Sequence, residues 1–590
     1  MEPLTRNCQN CKQDFIIDSA DQEFYKKISV PPPTFCWLCR AQRRMAWRNE
    51  RFLFKRKSDS TGKDIFSAFA PDSPVIVYEK EVWLTDVWDP MDYGQEADFV
   101  KSFLEQFKEL LHSVPLKNRN VVYDLNSEYV NNFTNPKNCY LVFNGQGAED
   151  CMYANGLGLS KACIDVSHVS KSERCYESFW ISSCRNVIFS SQCESSYDIA
   201  FCKDCVGVNN CFGCVGLRKK QYCIFNEQFT KEEYLQKIAE FNLGSHEALQ
   251  AMRKRVVEFW LKFPNRYING LQNTDVSGNY ISHSRNVRES FLVRESENLR
   301  YCQYVQELPG SKDCYDYTAW GAGNEQIYEC SACGLGTNNI KFCYNVQEES
   351  RDCEYSYMCE GSSNLFGCVG LRKKQYCILN KQYSKEEYFE LVEKIKSHMD
   401  TVPYIDAKGR VYKYGEFFPA ELSPSAYNET LAQENFPITK EQARESGFSW
   451  RDAAQRNYKI TKPAVELPDG IKDVPDSVTT EIIGCEHGGT CNDQCTLAFR
   501  VLADELAFYR SMNLPLPRVC PSCRHFARID QRTKLQVYKR SCMCSGSAGS
   551  PQAKGHDHGE TPCPKTFETS YAPTQPEIVY CEQCYQQEVA

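Results

Sequence analysis

The stretch CYLVFNGQGAEDCMYANGLGLSKACIDVSHVSKSERC, residues 139–175, carries a cysteine at every twelfth position. Further cysteines follow at 184, 193, 202, 205, 211, 214 and 223, and every gap between neighbours is a multiple of three. Neither the 3.6-residue period of a helix nor the two-residue period of a strand gives this spacing. Short strands and turns of constant length, stacked coil upon coil around a ladder of small apolar thiols, do give it. The spacing predicts a β-solenoid over residues 136–228.

A second block, residues 269–382, repeats the end of the first. The words FGCVGLRKKQYCI stand at 212–224 and again, unchanged, at 366–378. The cysteine gaps of this block open with 12 and close with two gaps of nine, but they leave the three-residue grid in between. We expect a second β-solenoid, with the repeated words forming the last coil of each. The alternative is that LRKKQ, at 217–221 and 371–375, is a doubled basic binding motif.

Each repeat continues into a helix start. Thr230 and Ser384 can cap a helix, and Glu233 and Glu387 follow three residues later, as in a capping box. The terminal coil of a solenoid needs such a cover, because its edge strands would otherwise present unpaired backbone groups. We predict helical caps over residues 229–268 and 383–400.

Some cysteines inside the blocks have the CxxC spacing of zinc ligands. These pairs are Cys202/Cys205, Cys211/Cys214 and Cys330/Cys333. At the 154-residue offset between the blocks, Cys202 and Cys211 align with Ser356 and Leu365. A shared ligand set would not lose members so easily, so we favour buried thiols over metal ligands here.

The first forty residues contain two CxxC knuckles, Cys8/Cys11 and Cys36/Cys39. Four thiolates arranged in this way complete a closed tetrahedral zinc site, which would stabilise a fold too small for a core of its own. The alternative is a redox-active dithiol. The motif CxxC, an aromatic pair, then CxxCR is typical of zinc-ribbon or treble-clef domains.

The C-terminal region repeats this module. From Cys11 to Phe24 is 13 residues, and from Cys495 to Phe508 is also 13. The predicted zinc ligands are Cys491, Cys495, Cys520 and Cys523, with Cys485 and His487 as the alternative to the first.

A further match joins residues 52–83 to residues 537–585, around an inserted segment. The C-terminal copy is rich in cysteine, whereas Ser58, Ser60 and Glu79 stand in similar places in the N-terminal copy. We expect a zinc ribbon that only the C-terminal copy retains, which makes about three zinc ions in all. Its predicted ligands are Cys544, Cys563, Cys581 and Cys584, with Cys542, His556 and His558 as possible additions. The two histidines could equally lie in a solvated loop.

Composition indicates a multidomain, soluble protein. The chain has 590 residues, 34 cysteines and a formal charge of -8, and it has no apolar run of the roughly 18 residues that a membrane span needs. No secretory leader opens it, so we expect a cytoplasmic protein with reduced thiols; the alternative is a secreted disulfide scaffold.

Two segments are strongly basic. Residues 40–57 carry eight Arg or Lys against one Glu, and residues 518–540 carry seven against one Asp, so the rest of the chain is acidic. Arginines and aromatic residues after a zinc knuckle can neutralise phosphates and stack on bases, which favours nucleic acid, RNA rather than sequence-specific DNA. The predicted contacts are Arg40, Arg43, Arg44, Arg48, Arg51, Arg524, Arg528 and Arg532. The alternative is that these arginines pair with the acidic remainder and hold the chain ends onto the solenoids.

Other classes of function stay open. No phosphate-binding loop, dinucleotide fingerprint or metalloprotease motif is present, which favours a non-enzymatic protein. A protein-interaction scaffold is the first alternative to a nucleic-acid binder, since solenoids offer long faces. A carbohydrate-acting β-helix enzyme is the second, with the aromatic stretch YDYTAWGAG, residues 315–323, as a sugar platform.

The chain resembles a bacterial family of functionally uncharacterised, cysteine-rich zinc-ribbon proteins. The resemblance lies in RRMAWRNER (43–51), WDPMDYG (88–94), GEFFPAELSPSAYNET (415–430) and FETSYAPTQPEIVYCEQCYQQEV (567–589), and it extends over nearly the whole chain. It implies zinc and no established activity.

These observations predict a mainly β protein in which two solenoids lie between terminal treble-clef or zinc-ribbon modules. The predicted division is an N-terminal zinc module with a degenerate ribbon (1–90), an amphipathic helix and linker (91–135), the first solenoid (136–228), a helical cap (229–268), the second solenoid (269–382), a second cap (383–400), an extended linker (401–480) and a C-terminal treble clef plus zinc ribbon (481–590).

Overall fold

The protein is mainly β and contains two β-solenoids, which confirms the predicted fold class. A computed structural model describes residues 2–452, 458–545, 558 and 561–589. Each solenoid is a twelve-stranded, almost entirely parallel sheet. The first comprises β7 (Val121–Val122), β8 (Tyr129–Thr134), β9 (Tyr140–Gln146), β10 (Met152–Gly158), β11 (Ile164–Ser170), β12 (Glu173–Ser182), β13 (Arg185–Ile188), β14 (Ser191–Glu194), β15 (Tyr197–Ala200), β16 (Asn209–Phe212), β17 (Gln221–Ile224) and β18 (Glu227–Gln228).

The second solenoid begins at residue 270. It comprises β20 (Gly270–Leu271), β21 (Thr274–Ser282), β22 (Arg285–Arg294), β23 (Glu297–Arg300), β24 (Gln303–Val305), β25 (Lys312–Thr318), β27 (Glu325–Ser331), β29 (Asn338–Lys341), β30 (Arg351–Glu354), β31 (Ser363–Phe366), β32 (Gln375–Ile378) and β33 (Lys381–Gln382). The short strands β26 (Gly321–Ala322) and β28 (Gly334–Leu335) pair with each other beside it.

The cysteine grid follows from the geometry of one coil. Met152 pairs with Ile164, and Ile164 pairs with Tyr176, so the chain returns to the same place on the coil at every twelfth position. Along the first solenoid the backbone enters the left-handed region at every third residue, for example at Asn138, Leu141 and Asn144. Each such residue turns a corner, and the residue after it points into the coil. Asn, Asp and Gly recur at the corners because they tolerate this conformation best.

The second solenoid departs from the grid because several of its coils are longer. Glu297 pairs with Lys312, a sequence separation of 15, and Glu325 pairs with Asn338, a sequence separation of 13. The last coils, from Arg351 onward, return to the separation of 12 that the first solenoid has. The broken spacing in the sequence therefore marks added corner residues and not a different fold.

The repeated words form the last coils, as predicted. In both solenoids the chain then turns back in a two-residue hairpin, β17–β18 and β32–β33, which pairs the edge strand. Asn226 and Asn380 occupy equivalent turn positions, and the side chain of each bonds the backbone N–H and C=O of a valine in the preceding coil. Helices α5 (Lys231–Glu240) and α7 (Lys385–Thr401) follow, each with the predicted capping box; α6 (His246–Trp260) follows α5.

Four small modules lie at the chain ends. The N-terminal knuckle module has β1 (Leu4–Asn7), β2 (Asp14–Ile17), α1 (Ser19–Lys27) and α2 (Trp37–Met45), and the N-terminal hairpin module has β3 (Phe54–Lys57), β4 (Asp64–Ser67), β5 (Val77–Tyr78) and α3 (Lys80–Trp83). The C-terminal knuckle module has β36 (Ile483–Gly484), β37 (Ala498–Phe499), α10 (Ala503–Ser511) and α11 (Pro521–Ile529), and the C-terminal hairpin module has β38 (Tyr538–Ser541), β39 (Thr566–Thr569), β40 (Val579–Tyr580) and α12 (Glu582–Val589).

The two modules at each end of the chain pack on different solenoids. Helix α2 packs on β25 and β27 of the second solenoid, whereas α11 packs on β11 and β12 of the first. The hairpin modules lie the other way round: Phe66 contacts Tyr129 at the start of the first solenoid, and β39 contacts β21 at the start of the second. Each end of the chain therefore holds both solenoids.

The remaining elements connect these parts. Helix α4 (Phe103–Ser113) and strand β6 (Leu116–Lys117) precede the first solenoid, and β19 (Asn265–Arg266) precedes the second. The segment expected to be an extended linker, 401–480, contains β34 (Tyr404–Ile405), β35 (Val411–Tyr412), α8 (Leu431–Asn435) and α9 (Lys440–Glu445). Its first part is buried, since Tyr427 and Ala432 pack in one cluster with Met45 and Phe291. None of the helices in the described ranges combines the length and apolar character needed to cross a bilayer.

Candidate metal centres and arginine clamps

The N-terminal knuckle module brings the predicted thiols together. The sulfur atoms of Cys8, Cys11, Cys36 and Cys39 all lie within 4.8 Å of one another. Cys8 directly follows β1, and Cys36 is the N-cap residue of α2 and donates its backbone N–H to the Cys8 sulfur at 3.3 Å. Hydrogen bonds from the Cys36 and Cys39 thiols hold the pKa of Cys8 well below its usual value, so the cluster favours a thiolate.

The sulfur spacings fit a tetrahedral metal ion. Four Zn–S bonds of about 2.3 Å place the sulfurs of a tetrahedron about 3.8 Å apart. The Cys11 and Cys36 sulfurs are 3.7 Å apart, and the Cys485 and Cys523 sulfurs of the C-terminal module are 3.9 Å apart. Both distances are far from the roughly 2.05 Å of a disulfide bond. No disulfide bond joins any of the cysteines in the described ranges.

In the C-terminal knuckle module, Cys485 and not Cys491 completes the four-thiol set with Cys495, Cys520 and Cys523. Cys485 directly follows β36, as Cys8 follows β1, and the N-cap residue Cys520 donates its N–H to the Cys485 sulfur at 3.3 Å. In both knuckle modules the first cysteine of the set is the residue that follows the strand. Because additional residues separate Cys485 from Cys495, the spacing in the sequence favoured Cys491 instead. Cys491 lies in a second group, with His487, Asp493 and Cys523.

The C-terminal hairpin module has a four-thiol set of its own. It consists of Cys542, Cys563, Cys581 and Cys584. Cys542, expected only as an addition, follows β38 and accepts the N–H of Cys581 at 3.2 Å, so it holds the strand-end position again. Cys544, expected in the main set, forms a separate group with His558 and Cys584. The other predicted histidine, His556, lies outside the described residues.

The N-terminal hairpin module has the same pairing without thiols. Lys57 pairs with Asp64 as Ser541 pairs with Thr566, which places Ser58 at the position of Cys542. The carboxylate of Glu79 accepts hydrogen bonds from Ser58, from Ser60 at 2.9 Å and from Thr61 at 2.7 Å. Burial raises the pKa of Glu79, but the bonds from Ser58 and Thr61 outweigh burial and lower the pKa to about 2. A hydrogen-bonded carboxylate thus occupies the place that the four-thiol set has in the C-terminal hairpin module.

The cysteines of the solenoids are buried rungs. Cys163 is fully buried, and its thiol is placed to donate to the carbonyl oxygen of Lys161 at 3.3 Å. Ser172 fills the same kind of position and donates to Ser170 at 2.7 Å. Because serine and cysteine make the same bond, one replaces the other between coils. Within the described ranges, the groups with metal-binding geometry contain none of these cysteines.

The arginines of α2 lie against carboxylates of the second solenoid. Arg40 contacts Asp316 at 2.7 Å, Arg43 contacts Glu329 at 2.7 Å, and Arg44 contacts both acids at 3.0 Å. The side chains of these five residues are at most 4% exposed. Burial raises the pKa of Glu329, but Arg43 and Arg44 outweigh burial and hold the pKa below its usual value. We call this group the N-terminal clamp.

Helix α11 makes the equivalent contacts on the first solenoid. Arg524 contacts Asp165 at 2.8 Å, and Arg528 contacts Asp165 at 3.2 Å and Glu177 at 3.3 Å. The arginines are four residues apart in both helices, and the two acids lie one coil apart in both solenoids. Glu505 of α10 adds a carboxylate 3.6 Å from Arg524. We call this group the C-terminal clamp.

The other arginines predicted to bind nucleic acid are also engaged. Arg48 pairs with Glu50, Arg51 pairs with Glu434 at 3.1 Å, and the guanidinium of Arg532 lies 3.4 Å from the hydroxyl of Tyr304. The arginines therefore face protein carboxylates and hydroxyls, which is the alternative that the charge balance left open. The aromatic stretch 315–323 is covered as well: Tyr315 stacks on Phe24 at 3.8 Å between ring centroids, and Tyr317 is fully buried.

The outer faces of the solenoids carry charges of alternating sign. Lys137, Glu149 and Lys161 follow one another on successive coils of the first solenoid, with N–O distances of 3.0 and 3.2 Å. Arg285, Glu297 and Lys312 repeat the order on the second. Next to the first ladder lies an open depression of about 990 Å³. Its lining includes Leu159, Lys161, Lys171, Glu173, Arg185, Tyr197 and Asp198.

Comparisons with known proteins add little. No protein-family model matches the chain, and no curated protein matches it. Among solved structures, the chain has a likeness to a proposed acetyltransferase from Desulfovibrio desulfuricans G20, with 9% identity over 47% of this chain and 86% of that one, at a TM-score of 0.09. A TM-score this low carries no argument about fold or activity.

Proposed function

We propose that this chain is a zinc-stabilised, non-enzymatic binding protein whose partner is another protein. The zinc ions would close the three four-thiol sets, since thiolates are the ligands that select Zn²⁺ in closed structural sites. Because such sites need reduced thiols, the proposal includes a reducing compartment such as the cytoplasm.

The surface of the first solenoid supports a protein partner. Leu159 and Tyr197 of the depression are 60% and 48% exposed, which offers apolar and aromatic contact area inside a charged rim. The cations Lys161, Lys171 and Arg185 stand beside the acids Glu173 and Asp198 in this lining. Mixed charge around an aromatic anchor suits a polypeptide segment, since protein interfaces combine such anchors with a polar rim.

Nucleic acid is the weaker candidate. A polyanion is bound through cations that have no protein counterion, since binding energy comes from replacing the counterions of phosphates. The clamp arginines are buried in ion pairs, and the exposed ladders alternate in sign. The expected affinity for RNA is therefore low even at low salt.

One experiment separates the two candidates. A photo-crosslinking amino acid placed at Tyr197 of the full chain, in its native host, should yield a discrete protein adduct, and the additional change Glu173→Lys should reduce it. The same group at Arg351, the equivalent ladder position of the second solenoid, serves as the matched control. RNA bound to the purified protein at low salt, with a steep loss on salt addition and no adduct at Tyr197, would refute the proposal.

A further inference from the structure

The C-terminal knuckle module has more metal-binding groups than one ion uses. Besides the four-thiol set, donor atoms of His487, Cys491, Asp493 and Cys523 all lie within 4.8 Å of one another. Cys523 belongs to both sets. Its sulfur is 3.7 Å from that of Cys491, which is the spacing of two ligands on one tetrahedral ion.

The additional groups lie on an insertion. In the N-terminal knuckle module only two residues separate Cys8 from Cys11, whereas nine separate Cys485 from Cys495. The longer segment contains Cys491, His487 and Asp493. None of these three is needed for the four-thiol set, so their convergence on Cys523 calls for its own explanation.

An unpartnered nitrogen points to a ligand. The Nδ1 atom of His487 is inaccessible to solvent and has no hydrogen-bond partner in the structure. The nearest carboxylate oxygen, on Asp493, is 3.7 Å away, too far for a hydrogen bond. A buried imidazole nitrogen without a partner is costly, and coordination of a metal ion removes that cost.

We propose that the C-terminal knuckle module binds a second divalent metal ion, held by His487, Cys491, Asp493 and the bridging thiolate of Cys523. Zn²⁺ with four thiolates carries a formal charge of about -2, which attracts a second cation. On binding, Cys491 releases its proton to solvent, whereas Cys523 has already released its own to hold the first ion. The Cys491 thiolate and the Asp493 carboxylate then balance the charge of the second ion.

The two ions should differ in how tightly they are held. The side chains of His487 and Asp493 are 40% and 28% exposed, whereas Cys520 and Cys523 are fully buried. Water and chelators therefore reach the second ion before they reach the ion in the four-thiol set. The mixed N, O and S ligand set also binds Zn²⁺ less tightly than four thiolates do.

Metal content of the full chain tests the proposal. We expect the double variant His487→Ala/Cys491→Ala, loaded with Zn²⁺ under reducing conditions, to hold one ion fewer per chain than the natural sequence, with its thermal unfolding little changed. Cys193→Ala, which removes a buried rung of the first solenoid, is the matched control and should keep all its metal.

A second measurement tests the bridge. With Co²⁺ in place of Zn²⁺, a shared thiolate should couple the two ions magnetically, and the coupling should be absent from His487→Ala/Cys491→Ala. Equal metal content in the variant and the natural sequence would overturn the proposal. The module would then hold a single ion, which in the natural sequence exchanges between the set that contains Cys485 and the set that contains Cys491. Loss of one ion without magnetic coupling in the natural sequence would overturn the bridging role of Cys523.

Discussion

The two hairpin modules share a strand register but are held together by different chemistry. In the C-terminal module four thiols converge, whereas in the N-terminal module the carboxylate of Glu79 collects hydroxyl hydrogen bonds. Both modules also pair a strand with the segment before a solenoid, β5 with β6 and β40 with β19. This small fold therefore has a polar centre between the strand end and the following helix, and a four-thiol set and a hydrogen-bonded carboxylate are two ways to supply it.

Removing metal should separate the two modules most clearly. After treatment with a strong chelator and a reductant, we expect the amides of β38 and β40 to lose hydrogen-exchange protection and those of β3 and β5 to keep it. The reason is that the binding energy of a structural zinc ion is folding energy, about 10 kcal/mol or more in small domains. Mass spectrometry of exchanged peptides gives the answer, with β1 and β2 as a metal-dependent control. An equal loss of protection in both hairpin modules would contradict this difference between them.

Thiols placed in the N-terminal hairpin module should convert it to the other type. The equivalents of Cys542, Cys563, Cys581 and Cys584 are Ser58, Thr61, Glu79 and Val82. We expect the fourfold variant S58C/T61C/E79C/V82C to bind one additional zinc ion per chain, measured by elemental analysis. Ser60→Cys, which adds a thiol outside the set, should bind none. An unchanged metal content in the fourfold variant would show that the two backbones are not equivalent.

The clamps should respond alike to loss of a carboxylate. Glu329→Ala leaves Arg43 and Arg44 without one of their buried partners, and removing one member of a buried ion pair costs about 3–5 kcal/mol. Asp165→Ala should cost a similar amount in the C-terminal clamp. Urea unfolding measures both, and Glu297→Ala on the exposed ladder should change stability little. A small effect in one clamp alone would show that only the other holds its solenoid.

The smallest effect concerns the hydroxyl network. Glu79→Ala removes the acceptor of Ser58, Ser60 and Thr61 and should lower the free energy of unfolding by about 1–3 kcal/mol. Since the pKa of Glu79 in the folded protein is lowered to about 2, its contribution is complete at neutral pH and disappears as pH falls from about 4.3 toward 2. The difference in stability from Glu79→Gln, measured across this range, should vanish at the acid end. A pH-independent difference would contradict the network.

Much of the fold could be predicted from the sequence, because equivalent positions on successive coils of a solenoid recur at a constant spacing. Cys151, Cys163 and Cys175 recur at every twelfth position because each fills the same inward place on a coil. The capping boxes at Thr230 and Ser384 are local signals and were equally readable. The longer coils of the second solenoid were not, since they break the cysteine spacing without showing whether residues were added to a coil or the fold changes.

The cysteine sets and the arginine contacts were harder to predict from the sequence, because some members are shifted in position and others lie far away along the chain. Cys485 and Cys542 hold the strand-end position, but counting between CxxC pairs favours Cys491 and Cys544. The available signal was the residue that directly follows each short strand. The burial of Arg44 depends on Asp316 and Glu329, which stand more than 270 residues away. Net charge predicts that arginines find acids, but not which ones.

Because the N-terminal knuckle module packs on the second solenoid, its arginines are synthesised long before the carboxylates that they contact. Arg44 leaves the ribosome about 285 residues before its partner Glu329, an interval of roughly 15 to 60 s at about 5–20 residues per second. During that interval Arg43 and Arg44 lack the carboxylate of Glu329 that neutralises them in the folded protein. The nascent protein therefore presents for many seconds arginines that the folded molecule has buried. A chaperone that binds these arginines would recognise the nascent chain and not the folded protein.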